Sequence, residues 1–217
     1  MSARRRIHGI AGFAALLSLA GCGSLLETTV PPPQMYVLRL APAAAASSAT
    51  ASAGSVQVLR PVAGPGLDVD RILLLRSGQR IDSFAASLWA APAPDIISSM
   101  IVDALRANGS FAAVFDDASP HPPHYNLRVS LRRFEADYTA ADGPPTIHVT
   151  LDATLGRHRD RELVASFAVQ QTVRADEDRM GAVVAAFEKA TSAAVHALAS
   201  EAAAAVADEP SAASARK

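Results

Sequence analysis

Three stretches in the second half of the chain alternate apolar and polar side chains at every other position. In the first stretch, Leu127, Val129 and Leu131 alternate with two arginines and a serine. The other two follow at residues 147–155 and 163–173, after short connections. Alternation with a period of two is typical of strands that have one buried and one solvated face. Because the connections are short, the pattern predicts an antiparallel meander of three strands.

Two other stretches carry apolar residues at helical spacing. Residues 95–108 place their apolar side chains on one face, between Pro94 and Gly109, which are typical of a helix start and a helix end. Residues 179–207 predict a second, longer helix. We expect an α+β two-layer sandwich, a mainly antiparallel sheet with two helices on one face. Shorter apolar runs predict further strands at residues 35–40, 56–58, 72–75, 81–84 and 111–115.

The N-terminus has the layout of an export signal. Three arginines precede an apolar run at residues 10–19, which is too short to span a bilayer. The sequence Leu-Ala-Gly-Cys that ends at Cys22 matches the lipobox, in which the cysteine thiol takes a diacylglycerol and the chain is cut before it. We therefore expect residues 1–21 to be a lipoprotein signal peptide. The alternative is an ordinary secreted protein with a chance cysteine near its cleavage site.

The residues after the lipobox predict where the anchor is delivered and what it carries. Retention of such lipoproteins in the inner membrane requires aspartate at the position of Gly23, so we expect the periplasmic face of the outer membrane. Residues 22–54 predict a lipid anchor and flexible tether, because they contain three consecutive prolines and an Ala, Ser and Thr tract at 41–53. The folded domain is expected at 55–207, followed by a disordered tail at 208–217.

Composition argues against several functional classes. A formal net charge of -1 without a dense basic block gives no electrostatic case for nucleic-acid binding. The single cysteine, assigned to lipid, leaves none for a disulfide or a cysteine-based metal site. No catalytic motif stands out, so we expect no enzymatic activity, no metal and no cofactor beyond the covalent lipid on Cys22. His121 and His124 come nearest to a metal pair, but prolines separate them, and we interpret them as a solvated loop.

Four residues are candidates for contact with a partner. Trp89, the only tryptophan, lies between the predicted strand at residues 81–84 and the first helix. It has two interpretations, one as a cap on the core and the other as a partner contact, since tryptophan is enriched in binding hot spots. The predicted turn around Gly64, Gly66 and Leu67 is the second candidate, because loops held by a rigid sheet are where binding residues collect.

The order of these segments resembles one known family, the ABC-type transport auxiliary lipoproteins, also described as PqiC-like. The resemblance covers roughly residues 36–205 and rests on the order of segments, since it involves no catalytic motif. The segments are, in order, the lipobox, a proline-bearing tether with Tyr36-Val37-Leu38, residues 56–62 leading into 64–68, residues 72–76, Trp89, the helix that ends at Gly109, and the closing meander and helix.

The resemblance implies a role in moving lipids or hydrophobic compounds across the cell envelope. The implied partners are an ABC transporter permease and ATPase complex and an MCE-domain protein anchored in the inner membrane. The lipoprotein would form the outer-membrane end of the route, without a cofactor or a bond-making step. Two alternatives stay open: a stand-alone periplasmic lipid carrier, and a structural lipoprotein of an outer-membrane assembly machine. The cargo and a homo-oligomeric state do not follow from the sequence.

Overall fold

The computed structural model describes residues 32–42, 53–139 and 143–209. The signal peptide, Cys22, Gly23 and most of the 208–217 tail therefore lie outside the described residues. In the described part of the chain the elements are β1 (Gln34–Tyr36), β2 (Ala53–Val58), β3 (Val62–Ala63), β4 (Arg71–Arg76), β5 (Arg80–Trp89), α1 (Ala93–Asn108), β6 (Phe111–Phe115), β7 (Tyr125–Asp137), β8 (Thr146–Arg157), β9 (Leu163–Arg174) and α2 (Met180–Ala207).

Strand β7 is the axis of the sheet. On one side it pairs antiparallel with β8 along its whole length, and β9 continues the sheet beyond β8. On the other side three short strands, β2, β3 and β4, follow one another along β7, each in parallel. Strand β6 lies beyond β2, while β5 and then β1 lie beyond β4. The predicted α+β class is confirmed, with a sheet that mixes long antiparallel pairings with short parallel ones.

The predicted meander is confirmed as β7, β8 and β9. A bulge between Leu131 and Arg133 shifts the alternation of β7 by one residue, so that Phe134 and Ala136 are buried in its second half. The alternation in β9 predicts that Leu163 is buried, and this prediction is wrong. Leu163 is 62% exposed, because it is the first residue of the outermost described strand of the meander, next to the turn.

The two predicted helices are confirmed. Helix α1 ends at Gly109, which has a φ of 75° and whose N–H donates to the carbonyl oxygen of Leu105 at 3.3 Å. It packs on β6 and β2, while α2 packs on β8 and β9, and the helices contact each other. The face of helix α2 that packs on the core carries small residues such as Ala190 and Ala194, and both are fully buried. Within the described residues, no helix combines the length and hydropathy needed to cross a bilayer.

Trp89 lies at the centre of an aromatic cluster in the core. Its ring centroid is 5.8 Å from that of Phe134 and 5.2 Å from that of Phe187, and the two phenylalanine rings are 5.1 Å apart. The three side chains join β5, β7 and α2, and Trp89 is only 1% exposed. Of the two interpretations of Trp89, the structure favours the core.

We expect Trp89→Ala to lower the free energy of unfolding by about 3–5 kcal/mol, because it empties the centre of the aromatic cluster. Chemical denaturation measures the change. The control is Val62→Ala, since Val62 is 70% exposed and its loss should shift the free energy by less than about 0.5 kcal/mol. A loss for Trp89→Ala as small as that of the control would contradict the packed position.

Candidate functional site

Residues 64–70 form a turn that is held against the middle of β7. The N–H of Gly64 donates to the carbonyl oxygen of Leu131 at 2.8 Å, and the N–H of Leu67 donates to that of Gly64 at 3.1 Å. Gly66 has a φ of 80°, in the left-handed region that glycine adopts without strain. The side chain of Leu67 is buried and anchors the turn in the core. The structure thus brings three of the candidate residues together in one rigid turn.

Arg60 ties this turn to the start of α1. Its Nη2 donates to Oδ1 of Asp68 at 2.8 Å, and its Nε donates to Oδ1 of Asp95 at 2.6 Å. The hydrogen bond from Arg60 is the main reason that the pKa of Asp68 lies below its usual range. Because these side chains are roughly half exposed, the ion pairs add little to global stability. They orient the turn relative to the helix.

Trp89 is joined to the turn by a backbone hydrogen bond. Its N–H donates to the carbonyl oxygen of Asp70 at 2.7 Å, and the N–H of Ala93 donates to that of Val69 at 3.0 Å. The indole ring points away into the core, so the exposed part of the candidate site belongs to the turn alone. We call this part the turn surface; it consists of Pro65, Gly66, Asp68 and Asp70, which are all exposed.

Residues 39–42, called here the strap, lie along α2. Three polar side chains of the helix, Glu188, Ser192 and His196, hydrogen-bond to the backbone of the strap. They are spaced four residues apart and form one row on the helix surface. Sequence reasoning missed this feature. The row was visible as polar positions in an alanine-rich helix, but such a row is equally typical of a solvated face.

Each contact engages the main chain of the strap. The N–H of Arg39 donates to Oε2 of Glu188 at 3.2 Å, and the N–H of Ala41 donates to Oγ of Ser192 at 3.0 Å. The carbonyl oxygen of Ala41 lies 2.8 Å from Nε2 of His196, which must carry a proton to donate to it. The strap is therefore held by hydrogen bonds from the helix side chains, and in addition the partly buried side chain of Leu40 packs against the core.

Strand β1 fastens the same segment to the sheet. It pairs in parallel with the end of β5, in the register that places Gln34 beside Ser87 and Tyr36 beside Trp89. The strand predicted at residues 35–40 is thus present at an edge of the sheet, although it is shorter than predicted. Part of the predicted tether, residues 34–42, consequently packs on the domain in the structure.

His121 and His124 lie in the loop before β7, and both contact neighbouring residues of the domain. The N–H of Ser55 donates to Nδ1 of His124 at 3.1 Å. The ring of His124 lies over Gly54, where a Cβ atom would come within 2.4 Å of it. His121 instead packs its ring on Phe115, with the centroids 5.8 Å apart. Among the described residues, no group of three or more His, Cys, Asp or Glu side chains could hold a metal ion.

The elements together define a two-layer α+β domain whose N-terminal segment is fastened to its C-terminal helix. The family described as the ABC-type transport auxiliary lipoprotein component matches residues 36–199. The chain belongs to this family. The matched region begins at the end of β1 and includes the strap, the turn and most of α2. No curated protein matches the chain.

Solved structures share this fold. A crystal structure of a Xanthomonas campestris protein of the DUF330 family is 25% identical, with a TM-score of 0.69, over 79% of this chain and 96% of that one. The crystal structure of an uncharacterized protein is 14% identical, with a TM-score of 0.62, over 79% of this chain and 99% of that one. At this identity, the second similarity shows the fold alone.

We expect the double variant Ser192→Ala and His196→Ala to release the strap, because each lost hydrogen bond costs about 1 kcal/mol. The amide of Ala41 should then exchange its hydrogen roughly 10- to 30-fold faster. Hydrogen exchange measured by NMR checks this rate. The matched control is Ser200→Ala, since Ser200 donates only to the carbonyl oxygen of His196 on its own helix. Equal exchange rates in the double variant and the control would rule out the strap contacts.

Proposed function

We propose that this chain is the non-catalytic, lipid-anchored auxiliary component of an ABC and MCE-type system that moves lipids or hydrophobic compounds across the cell envelope. Membership of the ABC-type transport auxiliary lipoprotein family supports the link to an ABC transporter. In this proposal Cys22 carries the lipid anchor, the outer membrane receives it, and the domain contacts an MCE-domain partner from the periplasmic face.

The observation that carries this proposal is the fastening of the N-terminal segment so soon after the anchor position. Pro33, just before β1, is the eleventh residue after Cys22. An extended chain advances at most about 3.6 Å per residue, so we propose that a link of this length reaches no further than about 40 Å. This suits a component that receives a partner at the membrane surface.

The turn surface is our proposed contact for the partner. Its backbone is fixed by Gly64 and by the Arg60 ion pairs, so little conformational entropy is lost when it binds. Arg60 occupies the carboxylate of Asp68, whereas that of Asp70 has no hydrogen bond or ion pair among the described residues. We therefore propose that Asp70 faces a basic side chain of the MCE-domain protein.

The anchor is tested by two substitutions. We expect Cys22→Ser to stay unprocessed or to appear in the soluble periplasmic fraction, because it removes the thiol that takes the lipid. Gly23→Asp should keep the lipid but redirect the protein to the inner membrane. Membrane fractionation followed by immunoblotting measures both outcomes. The anchor would be disproved if the Cys22→Ser protein still sedimented with the outer membrane as the wild type does.

The contact is tested by charge reversal in the turn surface. We expect Asp70→Arg to weaken capture of the MCE-domain protein about tenfold, which corresponds to about 1.4 kcal/mol. The control is Asp117→Arg, an exposed aspartate in the loop after β6. Both variants should melt like the wild type, since neither side chain is buried.

Co-purification from cells separates the proposal from its alternatives. Capture of an MCE-domain protein by the wild type supports the transport role. Capture of an outer-membrane barrel instead would favour a structural lipoprotein, and bound lipid without a partner would favour a stand-alone carrier. Equal capture by Asp70→Arg and Asp117→Arg would show that the partner binds elsewhere.

A further inference from the structure

A pocket of about 810 Å³ opens at the end of the meander, where the turn between β8 and β9 projects beyond β7. The described residues that line it include no aspartate or glutamate. Most of them carry hydrogen-bond donors. The polar groups that matter here are Asn126, Arg128, Arg157, His158, Arg159 and Arg161.

Arg157 forms hydrogen bonds with three acidic side chains at this end of the meander. Its Nη1 donates to Asp160 at 2.9 Å and to Glu162 at 2.7 Å, and its Nη2 donates to Glu209. The hydroxyl of Tyr125 also donates to Glu209, at 2.7 Å. These three carboxylates are therefore paired with the guanidinium group of Arg157.

The other three arginines keep their charges uncompensated. Arg128, Arg159 and Arg161 are exposed, and no hydrogen bond or ion pair joins their side chains to other described residues. The turn between β8 and β9 also fixes the backbone position of Arg161. Its backbone has a φ of 61°, and its N–H donates to the carbonyl oxygen of Arg157 at 3.0 Å. Three guanidinium groups thus surround one concave surface.

Two neutral side chains that line the pocket, Asn126 and His158, are hydrogen-bonded to each other. Nδ2 of Asn126 lies 3.1 Å from Nδ1 of His158 and donates to it, which leaves the proton of a neutral His158 ring on Nε2. At the rim, Leu163 exposes an apolar side chain beside these polar groups. The pocket therefore combines positive charge and donors with one apolar contact.

We propose that this pocket binds a phosphate group. Guanidinium groups match phosphate oxygens in paired hydrogen bonds, and three of them supply more donors than a single carboxylate accepts. A phosphate group occurs both in phospholipid headgroups and in free phosphate esters. Leu163 offers a place for the glycerol or acyl part of either kind of ligand. The site rests on its lining alone and does not depend on the transport role.

The test uses the full chain in an uncharged detergent and isothermal titration calorimetry. The probes are glycerol 3-phosphate, short-chain dihexanoyl phosphatidylglycerol and, as a phosphate-free ligand, glycerol. We expect the double variant Arg128→Gln and Arg159→Gln to bind glycerol 3-phosphate at least tenfold more weakly than the wild type. The matched control is Arg132→Gln, which lies on the same strand as Arg128 but pairs with Asp152 at 3.3 Å and lies outside the pocket lining. It should bind within twofold of the wild type.

The two phosphate probes distinguish the sources. Phosphatidylglycerol bound at least tenfold more tightly than glycerol 3-phosphate supports a lipid headgroup, and equal binding supports a free phosphate ester. If neither probe binds better than glycerol, or if Arg132→Gln weakens binding as much as the double variant, the proposal is overturned. Thermal melting accompanies each titration. If the double variant melts lower, Arg128→Lys with Arg159→Lys replaces it and should still bind several-fold more weakly, because lysine lacks the paired donors.

Discussion

The pairing of β7 on both of its edges is the constraint on which the rest of the fold depends. Strand β8 covers one edge along the whole length of β7, while β2, β3 and β4 share the other edge in succession. The breaks between these short strands place the 64–70 turn beside the middle of β7. The bulge after Leu131 then brings Phe134 into the core, where it meets Trp89 and Phe187. The turn and the aromatic cluster are thus consequences of how one strand is paired.

Much of this fold was predictable because the signals are local. The alternation of the meander and the helical spacing before Gly109 each appear within a dozen or so residues. The parallel pairing of three short strands with β7 was not predictable, because alternation shows that a strand exists but not which partner it takes. The bulge was equally hidden, since one extra residue alters the pairing without altering the composition. The exposure of Leu163 follows from its place at the start of an outer strand.

The candidate site divides in the same way. The turn at Gly66 was predictable, because the glycines around Pro65 favour a chain reversal. The role of Trp89 was not predictable, because tryptophan occurs both in cores and in interfaces. Only its packing with neighbouring side chains distinguishes the two roles. The strap was beyond local patterns, because its hydrogen bonds join residues 149 to 155 positions apart. The pocket at the β8 and β9 turn was not predictable either, because the sequence does not show which carboxylates pair with Arg157.

The strap also makes the position of one short segment depend on the last described helix. The strap needs Glu188, Ser192 and His196, which lie close to the end of the chain. The hydrogen bonds of the strap therefore form only when α2 is in place. Strand β1 lies just before the strap but pairs with the end of β5 and not with α2, so it covers that strand edge by a separate set of contacts. The segment is consequently fastened twice, and opening the strap alone would not uncover the edge of the sheet.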